Sequence, residues 1–230
     1  MNNDGRPHAP VNVLPRRISL SFDNGPEPGV TGAVLDILRA RGVPAAFFVI
    51  GRKLAAHGGR DLVARARAEG HVVGNHTLTH STPLGLLPHA ESVAEIAETQ
   101  TLLGPLAPER LFRPYGVQGR IGPHLLSPAA RDHLRATGAT CVLWNALPRD
   151  WLDPEGWVAT ALAQCEASPW PLMVLHDIPG GAMRHLPLFL DTLLAQGWRF
   201  TQHLPPDCLP IRAGVAQPGL EAFVSEPAHD

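Results

Sequence analysis

The stretch Arg17-Ile18-Ser19-Leu20-Ser21-Phe22, followed by Asp23-Asn24-Gly25, decides how this chain is read: a short apolar run ends on a group of polar side chains. The pattern recurs. His71-Val72-Val73-Gly74 leads to His76 and His80, Leu111-Phe112 to Arg113-Pro114-Tyr115-Gly116, and Cys141-Val142-Leu143-Trp144 towards Asp150-Trp151. Leu172-Met173-Val174-Leu175 leads to His176-Asp177. If these runs are parallel strands, every polar group falls at a carboxyl end, the face on which barrels and open α/β sheets assemble their sites.

Working outward, helical patterns separate the runs, as repeated βα units require. Val30 to Ala40 carries an apolar stripe and stops at Gly42; Ala45 to Ile50 is continuously apolar, as a strand buried on both faces would be. Further helices are expected over 62–69, 88–103 (with Glu91, Glu95 and Glu98 on the wet side), 128–137, 154–167 and 186–196. Strands are expected over 71–75, 111–112, 140–144, 172–175 and 198–201, which makes seven in all. The His76–His80 spacing of four residues would bring both rings to one side of a helical turn. We expect an N-terminal extension over 1–16, one α/β domain over 17–204, and a Pro-, Gly- and Ala-rich tail over 205–230 that is packed or mobile.

Composition narrows the function. At 230 residues one domain can bury a full core. A formal net charge of −2 offers no basic surface, so neither nucleic acid nor a membrane is expected as partner. Three cysteines without a C-x-x-C pair suggest neither a disulfide framework nor a cysteine zinc site, and fit a reduced compartment. The polar start Met1–Arg6 lacks the apolar segment of a secretory signal, which sets cytoplasmic localisation as the expectation. The sequence leaves the oligomeric state open.

Singly, the motifs are ordinary. Asp23-Asn24-Gly25-Pro26 and Pro114-Tyr115-Gly116 are turn vocabulary, Asp177 could cap the turn after it, and a lone His pair recurs by chance. Together, and in this order, S-F-D-N-G-P, N-H-T-L-T-H-S, F-R-P-Y-G, W-N-A-L-P-R-D-W and V-L-H-D resemble the polysaccharide deacetylase family, also called carbohydrate esterase family four. The resemblance runs from Ser21 to Asp177. It implies a distorted, TIM-like (β/α)7 barrel that removes acetyl groups from N-acetylated sugars or oligosaccharides with a bound metal. By the same resemblance Asp23 is the catalytic base, and His76 and His80 are metal ligands. Arg113 holds the base, and the backbone N–H of Tyr115 donates to the oxyanion. Asp150 orients the general acid His176, and Trp151, with Tyr115, walls the substrate. The metal is a divalent ion, with zinc expected and cobalt or nickel as alternatives.

Three departures qualify the likeness. Asn24 stands where the family has a second aspartate, the metal ligand; an amide oxygen brings no charge, so weak or absent metal binding is one expected consequence. Three readings remain: a working enzyme with a weaker site, one in which water or Asp23 fills the gap, or a silent carbohydrate-binding or interaction module. Motif three is one residue short between Arg113 and Tyr115, and Leu147 replaces the first aspartate of motif four. These point to a subgroup with its own small-amide or oligosaccharide substrate.

Overall fold

The computed structural model describes residues 16–226. The expected N-terminal extension, save Arg16, lies outside them. Strand β1 (Arg17–Asp23) sits at the centre of the sheet because its alternation suits both sides: Ile18, Leu20 and Phe22 join the apolar cluster under the helices, while Ser21 and Asp23 bond inward to Met173 and Arg113. Helix α1 (Thr31–Arg41) buries Val34, Leu35 and Leu38 and ends where Gly42 turns left-handed at φ +60°.

The chain continues through β2 (Ala46–Val49), α2 (Gly51–Ala55), α3 (Gly59–Ala68), β3 (Val72–Asn75), α4 (His89–Leu103) and β4 (Leu111–Phe112). It then forms α5 (Pro128–Ala136), β5 (Thr140–Cys141), α6 (Trp157–Ala167), β6 (Leu172–His176), α7 (Leu186–Ala195) and β7 (Arg199–Phe200). Helix α5 starts as its sequence dictates, with Ser127 accepting from the Ala130 N–H and Pro128 in the first turn.

The pairing order β6-β1-β2-β3-β4-β5 is parallel throughout, and β7 adds to the amino-terminal end of β1. The fold is a distorted (β/α)7 barrel in a single domain. Its seam lies between β5 and β6, joined by an isolated bridge from Ala146 to Met173. The expected strand over 140–144 is correspondingly short.

Residues 205–226 are packed against the barrel. They contribute β8 (Ile211–Arg212), antiparallel to β5, and β9 (Val215–Ala216), and they bury Leu209, Ile211, Leu220 and Val224. This segment showed no periodicity because its buried hydrophobic residues fall in one irregular run, Cys208 to Ile211, and then at the isolated positions Leu220 and Val224. No helix among the described residues is long and apolar enough to cross a membrane.

Candidate active site

Register brings the first two functional groups together: Asp23, last in β1, is the direct neighbour of His176, last in β6. Asp23 is nearly fully buried. Its Oδ1 accepts from Arg113 Nη1 at 2.7 Å, and its Oδ2 lies 3.6 Å from His76 Nε2. Burial alone would raise the carboxyl pKa, but the Arg113 charge, aided by His76 and His176, holds it below the ordinary carboxylate range.

Arg113 follows β4 and runs into the barrel with no exposed surface. Besides Asp23, it donates to Ser21 Oγ at 2.8 Å and to the carbonyls of Val142 and Leu143, while its guanidinium carbon lies 3.9 Å from the Phe48 ring centroid. A buried cation needs such complete pairing.

The two histidines meet by a route other than the expected helical turn. Residues 76–80 form a tight non-helical loop in which Thr77 and His80 have φ +66° and +54°. The rings are 4.7 Å apart, and the His80 ring is 3.9 Å from that of Tyr115. Asn75 Oδ1 accepts from the Thr77 N–H and Thr77 Oγ1 from the His80 N–H. Glu95, expected on the wet side of α4, instead turns inward: its carboxylate accepts from the N–H groups of Leu78 and Thr79 and from the Thr79 hydroxyl. The sequence signal for Glu95 was its inclusion in a helix directly after the His motif, but helical period alone could not say which way it faced.

His76 Nδ1 lies 2.8 Å from the Arg113 carbonyl, which fixes the proton there and leaves Nε2 with a free lone pair. Burial holds both imidazoles neutral, lowering His76 and taking His80 down to about 3. Among the described residues no three His, Cys, Asp or Glu side chains converge as a metal centre. Asn24 lines the same cleft as the two imidazoles, and its Oδ1 is buried without a hydrogen-bond partner, on a residue with φ +76°. Two neutral nitrogens and an orphaned amide oxygen suit a divalent cation, with no charge from the protein ligands.

His176 is held twice by Asp150: its backbone N–H donates to Oδ2 at 2.9 Å, and its Nδ1 meets Oδ1 at 2.8 Å. Burial would lower this imidazole's pKa, yet the Asp150 hydrogen bond and charge raise it above the usual histidine value, leaving Nε2 as a proton carrier. Trp151 packs edge-on against the same ring at 4.6 Å. His176 and Trp151 share one cleft of about 260 Å³ with Asp23, His76, His80 and Tyr115, whose backbone N–H has no protein acceptor among the described residues.

Asp177 does not cap the turn after it. It is buried, accepts from the Thr31 hydroxyl at 2.5 Å, and fills the space where any residue larger than Gly25 would place its Cβ. Thr31 Oγ1 in turn accepts from the Glu27 N–H at 2.7 Å, so β6 is tied to the turn that carries Asn24.

Residues 11–120 match the polysaccharide deacetylase family. A chitooligosaccharide deacetylase of Rhizobium leguminosarum bv. trifolii is 38% identical over 167 residues, covering 70% of this chain and 72% of that protein; one of Bradyrhizobium sp. (strain ANU 289) is 36% identical over similar shares, 70% and 71%. Among solved structures, a family 4 carbohydrate esterase from Streptomyces lividans in complex with acetate superposes with a TM-score of 0.69 at 26% identity, over 85% of this chain and 97% of that one.

Proposed function

The chain belongs to the polysaccharide deacetylase family, and on that premise we propose that it hydrolyses the amide of an N-acetylated sugar or oligosaccharide, releasing acetate and a free amine. The observation that carries this reading is the pairing of an ionised carboxylate, Asp23 on Arg113, with a proton-bearing imidazole, His176 on Asp150, across one cleft.

In this reading His76, His80 and Asn24 hold a divalent cation, zinc or alternatively cobalt or nickel. When bound, it polarises the amide carbonyl and acidifies water. Asp23, kept ionised by Arg113, takes a proton from the attacking water as its oxygen bonds to the carbonyl carbon. The Tyr115 N–H donates to the oxygen on which negative charge develops. His176, oriented by Asp150, delivers its Nε2 proton to the nitrogen, the C–N bond breaks, and the amine departs neutral. Trp151 forms a wall beside the acid.

The reading extends to a cytoplasmic setting with short, soluble substrates. Its support is that Cys141, Cys165 and Cys208 are all buried and unpaired. The neutral Asn24 favours one rival, a barrel that binds sugar without turnover. Protein stripped by chelator and reloaded with zinc, cobalt or nickel should release acetate from short chitin oligomers. Binding of the oligomers with no acetate at saturating metal would establish the rival.

A further inference from the structure

Asp177, which closes the V-L-H-D run, takes no part in the reaction, yet it is only 1% exposed. It follows His176 at the end of β6 and faces away from it: His176 lines the cleft, whereas Asp177 lines a separate void of about 10 Å³ walled by Phe22, Pro26, Phe47 and Phe48. Its Oδ1 is buried without a hydrogen-bond partner. An apolar residue would fill such surroundings without that cost. What the carboxyl group adds is a bond that an apolar side chain cannot make.

That bond leads to the turn after Asn24. Asp177 Oδ2 accepts from the Thr31 hydroxyl at 2.5 Å, Thr31 Oγ1 accepts from the Glu27 N–H at 2.7 Å, and the Thr31 N–H donates back to the Glu27 carbonyl at 3.0 Å. The carboxyl group also lies against Gly25, where an added Cβ would come within 2.6 Å of Asp177 Cγ. From the end of β2, the Ile50 N–H donates to the Gly25 carbonyl at 2.9 Å, and from α2, Lys53 pairs with Glu27 at 2.7 Å. The segment 24–27 is thus held from three elements. Asn24, at its head, sits in the left-handed region at φ +76°, a conformation that its surroundings must maintain.

We propose that Asp177 is a positioning residue for the metal: through Thr31 and Gly25 it fixes the turn that presents the Asn24 amide oxygen to a cation on His76 and His80. The inference rests on that ligand set. Because Asn24 brings no charge, its oxygen contributes only as far as it is already in place, so the cation depends on the groups that hold the turn more than it would with a carboxylate ligand.

The test is calorimetric titration of zinc and of cobalt into chelator-stripped wild type, Asp177→Ala, Asp177→Asn, Thr31→Val, Asn24→Ala and the double variant Asp177→Ala with Asn24→Ala, each first checked for a native circular dichroism spectrum. Asp177→Ala and Thr31→Val should weaken both metals by on the order of ten-fold. Asp177→Asn keeps an acceptor oxygen for Thr31 and should recover most of that loss. In the Asn24→Ala background, Asp177→Ala should change affinity by less than about two-fold, because its effect is routed through residue 24. No loss in the single variants, no recovery in Asp177→Asn, or an equal loss in both backgrounds overturns the positioning role while leaving residue 24 in the ligand set. If Asn24→Ala by itself leaves both affinities unchanged, or the wild type binds neither metal, the ligand set falls and the proposal falls with it. Should Asp177→Ala fail to fold, Thr31→Val with and without Asn24→Ala decides by the same comparison.

Discussion

At the residue scale, Asp23 and His76 are 3.6 Å apart but are assigned separate work, proton removal and metal holding. Asp23→Asn should lower turnover by about 10²–10⁴-fold while zinc still binds, and His76→Ala should lose both; calorimetric metal titration beside acetate release separates them. At position 24 the neutral Asn24 stands where the family's carboxylate is missing. Asn24→Asp is nearly isosteric and should tighten divalent binding by on the order of ten-fold, raising turnover at limiting metal and changing it little at saturation. Equal zinc, cobalt and nickel affinities in the two proteins would remove residue 24 from the ligand set. Asp150 raises His176, so the acid form persists to higher pH and activity falls as pH climbs through that raised value. Asp150→Asn should therefore move the alkaline limb of the kcat/KM profile to lower pH and reduce its plateau by about 10²-fold.

At the scale of elements, the site depends on how neighbours grip loops that have no regular structure. The 76–80 loop contains two left-handed non-glycine residues, a conformation that persists only when its surroundings over-determine it. Glu95 from α4 supplies that constraint through three hydrogen bonds. Glu95→Ala leaves two N–H groups and a hydroxyl without their acceptor. It should destabilise the protein by about 1–3 kcal/mol and weaken metal binding, measured by denaturant unfolding and by titration. Glu95→Gln keeps an acceptor oxygen and should recover most of the metal affinity. In the same way Asp177 and Thr31 grip the turn that follows Asn24, through the Glu27 N–H.

At the scale of the molecule, the carboxyl-terminal segment completes the barrel rather than trailing from it. Strand β8 pairs along the exposed edge of β5, and Leu220 and Val224 enter the cluster that also holds Trp144 and Val174. Burying four apolar side chains there is worth about 6–12 kcal/mol in total, comparable with the whole net stability of a domain, about 5–15 kcal/mol. A protein ending at residue 204 should therefore lose its cooperative thermal transition, monitored by circular dichroism, and with it acetate release. A sharp transition close to that of the full chain would show that the barrel closes without this segment.

The order of apolar runs and polar groups was enough to establish the βα repeat, the seven parallel strands and the placement of Asp23, His76, Arg113 and His176 at their carboxyl ends. Period and spacing are local properties, so they survive in one dimension. The direction in which Glu95 faces, the non-helical path between His76 and His80, and the burial of Asp177 against Gly25 were decided by tertiary structure. Each depends on which groups from distant parts of the chain reach buried polar atoms: the carboxylate of a later helix for the loop N–H groups, the hydroxyl of Thr31 for one oxygen of Asp177. The same holds for β8, where Ile211 is buried beside β5 while its neighbour Arg212 stays exposed.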